Sequence, residues 1–186
     1  MLNRIAVVAL LALLVTGCAS MGDGSVADKR DVINTMQVET LSDLYKQKPS
    51  TKVQLKAAEG YAVFSNANVN LILLSAGTGY GAVTNNKTGK KTYMNMAEGG
   101  VGIGLGVKDY RLVMVFHTQE AIKQFVESGW TFGANADLTA KAGEKGASRQ
   151  AEAYYGDVSV YTLTESGLAA QATIKGTKFW RDDQLN

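Results

Sequence analysis

Cys18 and His117 are the chain's single cysteine and single histidine, so side chains suited to nucleophilic or metal chemistry are scarce from the outset. One cysteine cannot close an internal disulfide, and one of each cannot build a four-ligand zinc site. A catalytic triad also lacks parts. No G-x-S-x-G elbow occurs, and His117 falls where a strand pattern meets a helix cap, a place where histidine ordinarily bonds to backbone. Asp137, Asp157 and Glu98 would form an acid pair only if folding joined them, and their spacing does not demand it. These residue types predict a non-enzymatic chain with no cofactor and no metal.

Glycine-rich runs raise the other chemical option, a phosphate cradle. "GTGYGA", residues 77 to 82, satisfies a loose G-x-G-x-x-A string, but a turn pattern, "VTNNKTGKK", follows it where a dinucleotide site needs a helix. Farther on, Gly100, Gly102, Gly104 and Gly106 alternate with Val101, Ile103, Leu105 and Val107. Glycine at every second position strips one strand face of side chains, at a cost of about 0.5–1 kcal/mol each relative to alanine. Such a face suits a bulky aromatic or another backbone lying almost against the sheet. Residues 100–106 are therefore expected to form one bent strand in a closed or nearly closed sheet, followed by a turn at Lys108–Asp109. A membrane-spanning barrel would need strand after strand of about ten residues, and helical patterns interrupt this chain.

Lysines supply the remaining chemistry. Lys46, Lys48, Lys52 and Lys56 cluster around one helix junction, with Lys87, Lys90 and Lys91 on a later turn. A lysine near an anionic membrane surface contributes about 1 kcal/mol. The first four are the candidate lipid-headgroup residues. A formal net charge of +2 leaves no footprint for nucleic acid.

The elements that must position these groups begin with an address. "MLNRIAVVALLALLVTGC" has Arg4 in a short basic start and an apolar run from Ile5 to Val15, too short for a bilayer-spanning helix of about 20 residues. Val15-Thr16-Gly17-Cys18 resembles the bacterial lipobox. That resemblance implies cleavage between Gly17 and Cys18, acylation (palmitate among the chains) of Cys18, and, with Ala19 next, an outer-membrane lipoprotein facing the periplasm. Several acyl chains together anchor a protein durably. The expected organisation is a signal peptide over 1–17, a lipidated flexible tether over 18–27, and one domain over 28–186.

Within that domain Ile33, Met36, Val38, Leu41, Leu44 and Tyr45 recur mostly at three- and four-residue steps, which predicts an amphipathic helix ending before Pro49 and able to lie at a membrane interface. Ser50 caps a second, short helix running through Glu59. The period then shifts to two. "YAVF" and "VNLILL" read as separate short strands, and "GYGAVTNNKTGKKTYMNM" as a hairpin. Thr118 caps a helix that Gly129 ends. Residues 141–153 read as a polar loop, and "DVSVYTLTES" with "GLAAQATIKGTKF" as a closing hairpin.

"AEGYAVFSNANVNL", "GTGYGAV", "GGVGIGLGVKDYRLVMVFHTQEAIKQF" and "WTFGANADLTA" follow one another in an order that resembles the SYLF domain family. The resemblance runs from about residue 26 to the end. "SNANVNL" departs from the proline- and glycine-bearing segment usual after "AVF", and the chain ends at "KFWRDDQLN" where relatives often continue. The resemblance implies a compact α+β domain: a strongly curved, barrel-like antiparallel sheet flanked by helices, with the N-terminal helix involved in lipid binding. It also implies phospholipid partners, phosphoinositides or other anionic lipids, and for some fungal members actin filaments. The function expected is a membrane-anchored envelope lipoprotein that binds phospholipid headgroups without catalysis. The alternative is a structural adaptor for another envelope protein, or an actin-binding module in a host-associated organism.

Overall fold

The computed structural model describes residues 24–72, 74–100, 104–131, 152–164, 167–168 and 176–186. Cys18 and Gly17 lie outside them, as do Asp137 and most of residues 141–153. Three helices and nine strands are described. The helices are α1 (Val26–Gln47), α2 (Ser50–Ala57) and α3 (Gln119–Ser128). The strands are β1 (Gly60–Ile72), β2 (Leu74–Asn85), β3 (Lys91–Gly100), β4 (Gly104–Phe116), β5 (Trp130–Thr131), β6 (Glu152–Tyr155), β7 (Val158–Thr164), β8 (Gly167–Leu168) and β9 (Thr177–Arg181).

The strand pairings among the described residues are antiparallel, in the order β5-β9-β3-β2-β1-β4-β7-β6, with β8 added beside β7. Among those residues the sheet is open: β5 and β6 are its two ends and do not pair with each other. Barrel-like closure is thus corrected.

Local chemistry explains the helix ends. Ser25 accepts from the Asp28 amide while the Asp28 carboxylate accepts from the Ser25 amide, a capping box that starts α1 where its orphan N–H groups need partners. Thr118 accepts from the Ala121 amide to open α3, and Gly129, at φ 63°, closes it. Ser50 begins α2 rather than capping it, and that helix stops at Ala57.

Each sheet face carries a helix layer, so the central strand is apolar on both sides. Leu112 to Phe116, "LVMVF", is wholly buried. Leu112, Met114 and Phe116 pack with Phe64, Met96, Ile122, Phe125 and Phe179 under α3. Val113 and Val115 point the other way, to Val63, Tyr161, Ile33, Met36 and Leu44 under α1. The residues just after β9 join this second layer: Leu185 is buried, its carbonyl accepts from Arg30 Nε at 3.0 Å, and the Asn186 side-chain amide donates to the Tyr93 carbonyl.

Five local expectations are revised. "YAVF" and Val69–Ile72 of "VNLILL" belong to one strand, β1, paired along both edges through Leu71, while Leu74 begins β2. Lys108 and Asp109 lie inside β4, opposite Asn68 and Ala67, rather than at a turn. Gly100 ends β3 while Gly104 and Gly106 begin β4, so the alternating glycines are divided between two non-adjacent strands. Thr177–Arg181 pairs with β3, not with β7, and Glu152 and Ala153 are in β6 rather than a loop.

The bare-face idea holds elsewhere. Gly79 and Gly81 share the α3 side of β2 with Asn66 and Phe64 of β1. A Cβ on Gly81 would lie 2.5 Å from the Phe64 ring, and one on Gly79 would lie 2.7 Å from Met96 Cγ. Large neighbours lean across these positions.

Candidate functional site

Register defines a cleft. The row Tyr93–Ala82–Val63–Val113–Tyr161 crosses five strands on the α1 side and is the row the helix covers. Two residues along each strand, the next row on the same face reads Trp180–Asn95–Tyr80–Ser65–Arg111–Leu163. Alternation of side chains makes directly opposed residues share a face. These six residues floor a cleft of about 850 Å³ beside α1. Lys29, Thr40, Asp43 and Gln47 form the helix wall, and Asp109 and Asp182 add carboxylates.

Several floor groups are held in place. Arg111 Nη1 donates to Thr40 Oγ1 at 3.1 Å and stands 3.6 Å from Glu39 Oε2. Asn95 Nδ2 donates to Asp182 Oδ2 at 3.1 Å. Trp180, by contrast, keeps 39% of its surface exposed. The local sequence does not announce this row, since its members are scattered from residue 65 to residue 180. Only the alternation of polar with apolar residues along each strand hinted at it.

The lysines divide. Lys46 pairs with Asp43 at 3.0 Å, and Lys48 Nζ stands 4.8 Å from the Tyr161 ring centroid. Lys52 and Lys56 are exposed one turn apart on α2 and form no ion pair among the described residues; Val53 beside them is 74% exposed. On the hairpin, Lys87 pairs with Glu59 at 2.8 Å. Lys91 donates to Asn34 Oδ1 at 2.6 Å, and burial lowers its pKa. The apolar face of α1 is not available to a membrane. Ile33 and Leu44 are fully buried and Met36 nearly so, which corrects the interfacial role expected of that face, although Val38 is 70% exposed.

His117 proves different from expectation. Its ring Nε2 lies 2.7 Å from Ser159 Oγ rather than on backbone. Gln54 Nε2 also donates to that oxygen at 3.2 Å, and the Tyr161 hydroxyl donates to Gln54 Oε1 at 2.6 Å. The Ser159 hydroxyl thus meets both His117 Nε2 and Gln54 Nε2. The pair resembles a nucleophile and base, but Ser159 has no exposed surface, so a substrate carbonyl has no approach. The relay fixes α2 to the sheet.

Glu98 and Asp157 are not an acid pair. Glu98 aligns, through Gly77 and Asn68, with Lys108, whereas Asp157 adjoins Val158 opposite Phe116. At about 3.3 Å per residue that places them roughly 26 Å apart along β4. Glu98 instead accepts from Asn66 Nδ2 at 2.9 Å and from the Tyr110 hydroxyl at 2.5 Å. Burial, with the Glu98 hydrogen bond second, drives the Tyr110 pKa far above 10.0. The sign follows: the folded state holds its proton while the unfolded chain releases it, so stability from this group is full below about pH 10 and declines above it. The alkaline arm of a pH–stability curve is expected to be shallower in Tyr110→Phe than in the unaltered protein, and parallel arms would contradict the assignment.

Among the described residues no group of three His, Cys, Asp or Glu side chains could hold a metal ion, and no helix is long and apolar enough to cross a membrane.

An open antiparallel sheet between two helix layers, with an N-terminal helix lying beside a cleft, defines the class of this α+β domain. Residues 97–186 match the family model described as "Ysc84: Las17-binding protein actin regulator", and the chain carries a domain of this SYLF family. Among curated proteins it is similar to Beta cell expansion factor A of Aeromonas veronii, 37% identical over 158 residues, which are 85% of this chain and 59% of that protein. The chain thus spans somewhat over half the length of that relative.

Proposed function

We propose that this is a lipid-anchored envelope protein whose SYLF-family domain binds anionic phospholipid headgroups without catalysis. Cys18 is the anchor, acylated after cleavage at Gly17, and the protein resides on the periplasmic side of the outer membrane. The observation that carries the binding reading is the outer face of α2, where Lys52 and Lys56, without an ion pair among the described residues, present ammonium groups beside exposed Val53. Cations around an apolar tip suit the headgroup layer, the cations meeting phosphate and the valine the acyl boundary. Lys48 and Lys46, already engaged with Tyr161 and Asp43, are auxiliary. The short tether supplies high local concentration, so weak headgroup affinity suffices. Buried Ser159 favours the non-catalytic reading, since its hydroxyl belongs to the relay that seats α2.

The test uses a soluble Cys18→Ser form lacking residues 1–17, mixed with anionic and with neutral vesicles. Binding to anionic vesicles is expected to fall about 30-fold or more in K52E/K56E, at about 1 kcal/mol per lysine and about 1.4 kcal/mol per tenfold. Negligible binding to both vesicle types would remove this reading. A second reading, an adaptor that engages another protein, is favoured by the family description, which names an actin regulator. Crosslinking in cells to one abundant protein partner, with K52E/K56E lipid binding unchanged, would select it.

A further inference from the structure

We propose that the cleft beside α1 binds a linear, uncharged oligosaccharide, a ligand site separate from the α2 lysines. Along its floor the residue types alternate by strand: Trp180, Asn95, Tyr80, Ser65, Arg111. Adjacent strands stand about 4.8 Å apart, so the two aromatic rings are spaced about 10 Å from each other with an amide between them. A pyranose offers the complement of such a row. Its C–H face lies on an aromatic ring, and its hydroxyl rim bonds to amide, hydroxyl and guanidinium groups. A chain of sugars crossing the strands parallel to α1 repeats both surfaces in register with the floor.

The other ligand classes fit poorly. Lys29 and Arg111 face Asp43, Asp109 and Asp182 around the cleft, so carboxylates outnumber cations by one and the lining selects neither phosphate nor nucleic acid. An acyl chain would strip water from Asn95, Ser65 and Arg111 and return no hydrogen bonds. An extended peptide recognised by strand addition needs a sheet edge, whereas this floor is a sheet face whose strands β9, β3, β2, β1 and β4 are hydrogen-bonded to one another. The site is also preorganised. Asp182 holds the Asn95 amide and Thr40 holds the Arg111 guanidinium, so little ordering remains when a polar ligand arrives. Its volume, about 850 Å³, lies within the range of small-ligand sites, and Trp180 at 39% exposure keeps surface for stacking.

The probes are cellotetraose and N-acetylchitotetraose, titrated into the full chain in a detergent without a sugar headgroup, with tryptophan emission and calorimetry as readouts. At least one probe is expected to bind saturably below about 10 mM. Trp180→Ala and Thr78→Arg, both at exposed positions, are each expected to weaken that binding tenfold or more while the melting temperature holds. K52E/K56E is expected to leave it unchanged, which separates this site from the headgroup reading. No saturable binding of either sugar, or undiminished binding in both cleft variants, overturns the proposal.

Discussion

Replacing Phe125 by alanine is expected to remove about 3–5 kcal/mol of stability, seen as a melting temperature lowered on the order of 10 °C. Phe125 is 2% exposed and, together with Ile122, seats α3 on the sheet. Its ring centroid lies 6.1 Å from Phe64, 5.2 Å from Phe116 and 5.3 Å from Phe179. Those three rings sit on three different strands whose spacing the backbone ladder fixes, so they cannot close over the vacated volume. The loss therefore includes a cavity as well as the transfer free energy of the ring. Lys123→Ala, on the exposed side of the same helix, is the control and is expected to stay within about 0.5 kcal/mol. Thermal unfolding followed by circular dichroism measures both. A loss below about 1 kcal/mol for Phe125→Ala would mean that α3 is not seated as described.

Gly81→Ala is expected to cost about 3 kcal/mol, the upper end for an overpacked site. The added methyl meets the Phe64 ring and also the Val63 carbonyl oxygen of the paired strand. A ring can turn aside, but a carbonyl inside the β1–β2 ladder cannot move without breaking register. Phe64→Leu combined with Gly81→Ala is expected to recover only the ring's share, so the two changes are non-additive. Gly99→Ala is the contrast: a methyl added there would meet nothing within 4 Å, and urea midpoints should remain near the unaltered value. Equal midpoints for Gly81→Ala and Gly99→Ala would show that close approach is not why β2 carries glycine.

The sequence disclosed what local chemistry decides. Apolar steps of three and four located α1 within a residue or two, Thr118 and Gly129 bracketed α3, and "TNNKTGKK" marked the β2–β3 turn. It misassigned what pairing decides. Residues 100–106 look like a single alternating strand, yet Gly100 belongs to β3 and Gly104 and Gly106 to β4, which the sheet separates by two other strands. Helix α1 shows an apolar face that would suit lipid equally well; only the presence of β1, β2 and β4 beneath Ile33 and Leu44 assigns it to the core. The lysines were legible as a cluster, but Asp43 and Tyr161 divide them, and neither partner is signalled by composition. His117 and Ser159 are brought together by the β4–β7 register, which no short motif encodes.

Strand β9 returns to β3, and the residues just beyond it lodge against Arg30 and Tyr93, near the beginning of α1. Helix α1 emerges early in synthesis and therefore waits for residues 185 and 186 before its seat is complete. Long sequence separation between mated segments slows folding, and here it postpones the finished state until those late residues have been made.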